Sequence, residues 1–190
     1  HVYPAPNVAI TTVCPFFNTN RMVEEYTERM YLPAAIQHSL LARKDFEAAK
    51  ALAAWKTRIT ERWHEVRILE VEANTASEME IGSDLEVKVS AHLGSIQPGE
   101  VSVELIHGPM DKDGEIIAGD ALPLNHLSTR DSVSVFQGAI PCHEAGRHGF
   151  MVRILPFRGE LAHKFEVCRI TWWSGDSTLS PEMIADKVVG

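Results

Sequence analysis

In roughly the first 65 residues the apolar positions recur every three or four residues, and from Val66 onward they recur every second one. The first period predicts helices. In FNTNRMVEEYTERMYLPAA (17–35), Met22, Val23, Tyr26, Met30 and Leu32 fall mostly on one helical stripe. Thr19 or Asn20 is placed to cap this helix, and Glu24 and Glu25 suit its first turn. Pro33 either interrupts it or opens a second helix over AAIQHSLLAR. A third helix is expected from Asp45, as N-cap, to about Arg62. Phe46, Ala49, Leu52, Trp55, Ile59 and Trp63 recur along it at helical spacing, so Trp55 and Trp63 read as packing residues.

The second period predicts strands. VRILEVE comes first, then DLEVKVSAHL, where Leu85, Val87, Val89, Ala91 and Leu93 alternate with polar residues. VSVELIHG places Val101, Val103 and Leu105 on one face, and FMVRILP does the same with Phe150, Val152 and Ile154. Weaker strands are expected at EIIA, near LPLNHL and over SVSVFQGAI, with turns at QPGE, DKDGE and EAGRHG. The last strand is HKFEVCRITWW. There Phe165 and Val167 share one parity while Cys168, Ile170 and Trp172 share the other, so burying both sets requires a bulge between Val167 and Cys168. That reading turns Trp172 inward and Trp173 outward. The fold class expected is α+β: an N-terminal segment of two or three helices over 1–65, an antiparallel immunoglobulin-like β-sandwich over 66–173, and a tail over 174–190 with a short helix started by Ser180 and Pro181.

Composition leaves this picture unchanged: 45% hydrophobic and 23% charged residues suit an ordinary globular domain. The charge does exclude something. Of the net −8, residues 66–190 carry ten Lys/Arg against nineteen Asp/Glu, so the basic face a nucleic-acid partner needs is missing. No apolar run approaches the roughly 18 residues a membrane helix needs, and no signal-peptide pattern is visible. The first residue is His1 and the first methionine Met22, which reads as a fragment or processed chain. Cys14, Cys142 and Cys168 are far apart and odd in number, suggesting a reducing compartment rather than a disulfide framework.

Candidate chemistry is sparse. His143 and His148 with Cys142 form the tightest ligand-type cluster, but its spacing supplies no fourth ligand, and a solvated turn is the better reading. Asp111, Asp113 and Glu115 resemble part of a calcium loop whose closing glutamate is not in place. Phosphate-binding glycine loops, nucleophile elbows and zinc-protease motifs are not found. The residues therefore assign no catalytic, cofactor-binding or metal site. Trp173 is the one weak carbohydrate-binding candidate, as an outward aromatic on which a sugar can stack.

The opening stretch does resemble a known family. Phe17, Asn18, Thr19, Asn20, Arg21 and Tyr26 are similar to the segment that closes the catalytic region of the α-glucan (glycogen/maltodextrin) phosphorylases, although Asn20 stands where that pattern has an acidic residue. The continuation through "RM" and "YLPA", then Leu52-Ala53-Ala54-Trp55-Lys56 and Trp63, resembles the longer bacterial and archaeal branch. So do Gly146, Arg147, Gly149, Phe150, Val152, Arg153 and Pro156, followed by Phe165, Glu166 and Trp172. The resemblance covers about residues 8–173. It implies a parent enzyme that transfers glucosyl units from an α-1,4-glucan to phosphate, giving glucose 1-phosphate, with pyridoxal phosphate as cofactor. The cofactor lysine and its glycine-rich loop lie N-terminal to the matched region, so no catalytic residue carries over and this fragment is expected to hold no cofactor.

Two functions follow. In the first, the chain is a non-catalytic scaffold and domain contact at the C-terminus of such an enzyme. Its partners are then the missing N-terminal catalytic domain and, for the parent, glucan and phosphate; it is cytoplasmic, in some cases a homo-oligomer, and meets neither nucleic acid nor membrane. In the second, it is a free-standing sandwich that binds carbohydrate or protein, and heat of binding with maltoheptaose separates the two.

Overall fold

The computed structural model describes residues 18–73, 82–141 and 147–175. The expected strand or helix end at 8–13, the residues Cys14, Cys142 and His143, and the short helix opened by Ser180 lie outside them. The chain divides into two compact units, residues 1–53 and 54–190.

The described part of the first unit is helical. Helix α1 spans Thr19–Tyr26 and is capped by Asn18, one residue earlier than the sequence suggested; the Arg21 N–H donates to Asn18 Oδ1 at 2.7 Å. A π-turn, Thr27–Tyr31, follows and is closed by the Leu32 N–H donating to the Thr27 carbonyl. Helix α2 spans Leu32–Leu41 and contains Pro33 in its first turn. Pro33 therefore stands at the start of α2, the second of the two readings, and α1 runs into that helix through the π-turn. A proline cannot donate to the carbonyl four residues back and its ring crowds that carbonyl; the wider turn just before it relieves both problems.

Helix α3 spans Arg43–Arg62 and opens through a bend in which Lys44, Asp45 and Phe46 have φ of 50°, 56° and 61°. Asp45 is thus not the expected N-cap. Its carbonyl accepts from Lys50 Nζ at 3.0 Å across the bend. Three consecutive non-glycine residues in the left-handed region are costly, and the residue types there do not account for it. Among the described residues the helical half is therefore two helical runs, one continuous through α1 and α2, and α3.

The described residues of the second unit form eight antiparallel strands: β1 Arg67–Ala73, β2 Asp84–His92, β3 Val101–Pro109, β4 Asp120–Pro123, β5 Asn125–Arg130, β6 Val133–Pro141, β7 His148–Pro156 and β8 Thr171–Trp172. They form two four-stranded sheets, ordered β1-β2-β6-β5 and β4-β3-β7-β8, packed as a sandwich. The alternation read from the sequence is the observed one. Val87, Val89, Val103, Leu105, Val152 and Ile154 are at most 1% exposed, and burying each contributes about 1.5–3 kcal/mol. Trp55, Ile59 and Trp63, from the end of α3 and the turn after it, are also buried.

Two strand expectations fail. EIIA is not a strand: Ile116 makes a single bridge to Met110, and the chain pairs again only at β4. HKFEVCRITWW is not one either. Only Thr171 and Trp172 join the sheet, and Cys168 sits at φ 53° with its N–H donating to the Phe165 carbonyl at 3.0 Å. The conflict of parity is real, but the chain resolves it by leaving the sheet and turning, so no bulge exists between Val167 and Cys168. Phe165, Ile170 and Trp172 consequently stay 40–44% exposed, and Trp172 does not enter the core.

Candidate functional site

The polar chemistry of the sandwich concentrates on the outward face of the second sheet. Register places Glu104 of β3 opposite Arg153 of β7, and Arg153 opposite Trp172 of β8. All three occupy the parity opposite the buried Val103, Leu105, Val152 and Ile154, so they form one row across the sheet. Glu104 is 6% exposed, unusual for a carboxylate. Its Oε2 accepts from Arg153 Nε at 2.9 Å and Nη2 at 2.6 Å, and Lys164 Nζ donates to both its oxygens at 3.2 Å. The pinned guanidinium lies 5.3 Å from the Phe165 ring centroid and 5.6 Å from that of Trp172, which is cation–π distance in each case. One buried carboxylate thereby fixes one arginine, and that arginine fixes two half-exposed aromatic rings.

A second node joins the end of α3 to the sandwich. Glu100 closes the turn before β3 and takes the Trp55 indole N–H on Oε1 at 2.8 Å. Arg58 donates to both its oxygens, and the Gln97 N–H reaches Oε2 at 3.1 Å. Lys56 pairs with Glu166, whose other oxygen accepts the Ala162 N–H at 2.8 Å. Arg158 lies over the Trp55 ring at 5.6 Å. Burial by itself would raise the pKa of Glu100, but the Arg58, Gln97 and Trp55 donors outweigh it and hold the carboxyl below its usual range. Glu166 follows the same pattern: burial opposes, and Lys56 and the Ala162 N–H prevail. Glu65 also lies low, chiefly because the Ser95 N–H and hydroxyl donate to it.

The residues singled out from sequence are dispersed. Trp173 follows β8, half-buried, with its N–H donating to the Val152 carbonyl at 2.9 Å. His148 opens β7 opposite Pro109. Asp111 Oδ1 is occupied by the N–H groups of Asp113 and Glu115, both at 2.9 Å, which makes a local turn of the DKDGE segment. Among the described residues no group of three or more His, Cys, Asp or Glu is placed to hold a metal ion. Sequence reasoning missed the Glu104–Arg153–Lys164 cluster. Parity put Glu104 and Arg153 outward, but only the strand register could show that they meet.

Fold and site together define a two-sheet sandwich domain entered through a helix and tied to it by paired charges. The family described as "Glycogen phosphorylase C-terminal domain" matches residues 63–174, and the chain belongs to that family. Over 164 residues it is 29% identical to the glycogen phosphorylase of Mycobacterium tuberculosis (strain ATCC 25618 / H37Rv), covering 85% of this chain and 19% of that protein. The maltodextrin phosphorylase of Thermococcus litoralis is 28% identical over 173 residues, covering 86% of this chain and 19% of its own length. The chain thus spans about a fifth of the curated relatives it matches.

Proposed function

We propose that this chain is the C-terminal portion of an α-glucan phosphorylase and works there as a non-catalytic scaffold and domain contact. The observation that carries this reading is the apolar surface of the helical unit. Met22, Val23, Tyr26, Met30, Ile36 and Leu40 are each 42–62% exposed, although their spacing is that of a packed helical face. Exposed apolar surface on that scale marks a contact. The fivefold greater length of the relatives supplies a partner, the preceding part of the same enzyme. In this reading the parent enzyme is cytoplasmic, acts on glucan and phosphate, and is in some cases a homo-oligomer. No helix among the described residues is long and apolar enough to cross a membrane.

Pyridoxal phosphate belongs to the parent in this reading, and three of the described lysines already lie beside carboxylates. Lys56 and Lys164 are committed to Glu166 and Glu104, and Lys50 is exposed beside Asp45. No step of the reaction is assigned to this chain. The strand orders also support immunoglobulin-type connectivity: β1-β2-β6-β5 corresponds to A-B-E-D, and β4-β3-β7-β8 to C′-C-F-G.

The test is complementation. The chain is mixed with the M. tuberculosis glycogen phosphorylase shortened by its matching C-terminal stretch, and phosphorolysis of glycogen is followed. A complex with increased activity is expected. Absence of both a complex and any gain would overturn the reading.

A further inference from the structure

We propose that the outward face of the second sheet binds α-linked glucan, with the Trp172 indole as the stacking platform. The choice of sugar rests on the phosphorylase reading; the place rests on the geometry.

Sugar recognition needs a flat apolar plate that is already rigid, with hydrogen-bond donors and acceptors at its rim. Trp172 is 44% exposed, and its ring is braced from one side by the Arg153 guanidinium at 5.6 Å. That guanidinium cannot swing away, because Nε and Nη2 are both held by the buried Glu104. The plate is therefore fixed before any ligand arrives, which lowers the ordering cost of binding. The same guanidinium also lies 5.3 Å from the Phe165 ring, which is 42% exposed. Lys164, 42% exposed at its side chain, supplies a polar rim beside it. Two rings with charged groups beside them suit a polyhydroxylated chain, whose faces are apolar and whose edges carry hydroxyls. A purely apolar peptide would leave those charges desolvated. The relatives are named for glycogen and maltodextrin, both polymers of this class.

The test is affinity electrophoresis of the chain through gels containing glycogen, with tryptophan fluorescence titration by maltoheptaose alongside. Neither readout depends on complementation, so this proposal can fail while the scaffold reading stands, and the reverse. Retardation in glycogen gels is expected, together with a saturable fluorescence change. Trp172→Ala should weaken binding about tenfold, the loss of a stacking contact worth about 1.4 kcal/mol. Trp172→Phe should recover part of it, and Trp173→Ala, which alters a half-buried neighbour, should bind as the parent does. Thermal unfolding of each variant separates loss of binding from loss of fold. Absence of retardation, or retardation unchanged by Trp172→Ala, would overturn the proposal. So would covering of Trp172 by the complementary enzyme portion, read as a fluorescence shift that abolishes glucan binding.

Discussion

Glu104 shows how much one residue can organise. A carboxylate this enclosed is tolerable only because Arg153 and Lys164 meet it, and removing one partner strands the other. Arg153→Met should therefore destabilise the sandwich by about 3 kcal/mol in urea unfolding. Coupling it with Glu104→Leu should return most of that loss, because the stranded charge is gone. A double variant as unstable as the sum of its singles would contradict this. Gly94 makes a different point about single positions. It sits at φ 61°, and a Cβ there would fall 2.5 Å from Glu65 Cβ, in the turn that Glu65 closes through Ser95. Gly94→Ala adds a conformational cost of about 1 kcal/mol or more to that clash, and the melting temperature should fall by several degrees.

At the scale of elements, α3 is held to the sandwich by carboxylates that titrate low. Folded Glu100 and Glu166 lie below their ordinary value of 4.5, whereas in the unfolded chain they take up protons near it. As pH falls below about 4.5 the unfolded state binds more protons, so stability is lost progressively until the folded carboxyls protonate as well. The urea midpoint should accordingly drop between pH about 7 and about 3.5, and an Arg58→Leu, Lys56→Leu variant should show a shallower drop. Equal pH dependence in the two proteins would remove these pairs as the cause. Elements are also where the sequence was most informative. Alternation through Leu85–Leu93 and Val101–Leu105 depends only on the two-residue period, and those strands lie where the period puts them. After Lys164 the period misleads, because turning costs the chain less than burying both parities. The left-handed bend at Lys44–Phe46 carries no glycine to announce it. The Glu104–Arg153–Trp172 row depends on which strands are neighbours, information that no local pattern contains.

For the whole molecule, the two units differ in how much of their apolar surface they satisfy. The sandwich encloses Leu105, Ile154 and Leu155 completely, while α1 and α2 leave Met22, Tyr26, Met30 and Ile36 about half in water. A helix in a protein draws most of its stability from packing its apolar face. In this chain alone, amides of residues 19–41 should therefore exchange with solvent long before those of Val87, Val103 and Ile154, which need opening of the sandwich itself. Hydrogen exchange read by mass spectrometry on peptides from each unit checks it. Adding the complementary enzyme portion should then slow exchange in the helical peptides and leave the sandwich peptides nearly unchanged, since ordering falls where the contact forms. Helical amides protected as well as those of the strands in the chain alone would mean that this unit already buries its apolar face, and the main support for a missing partner would be gone.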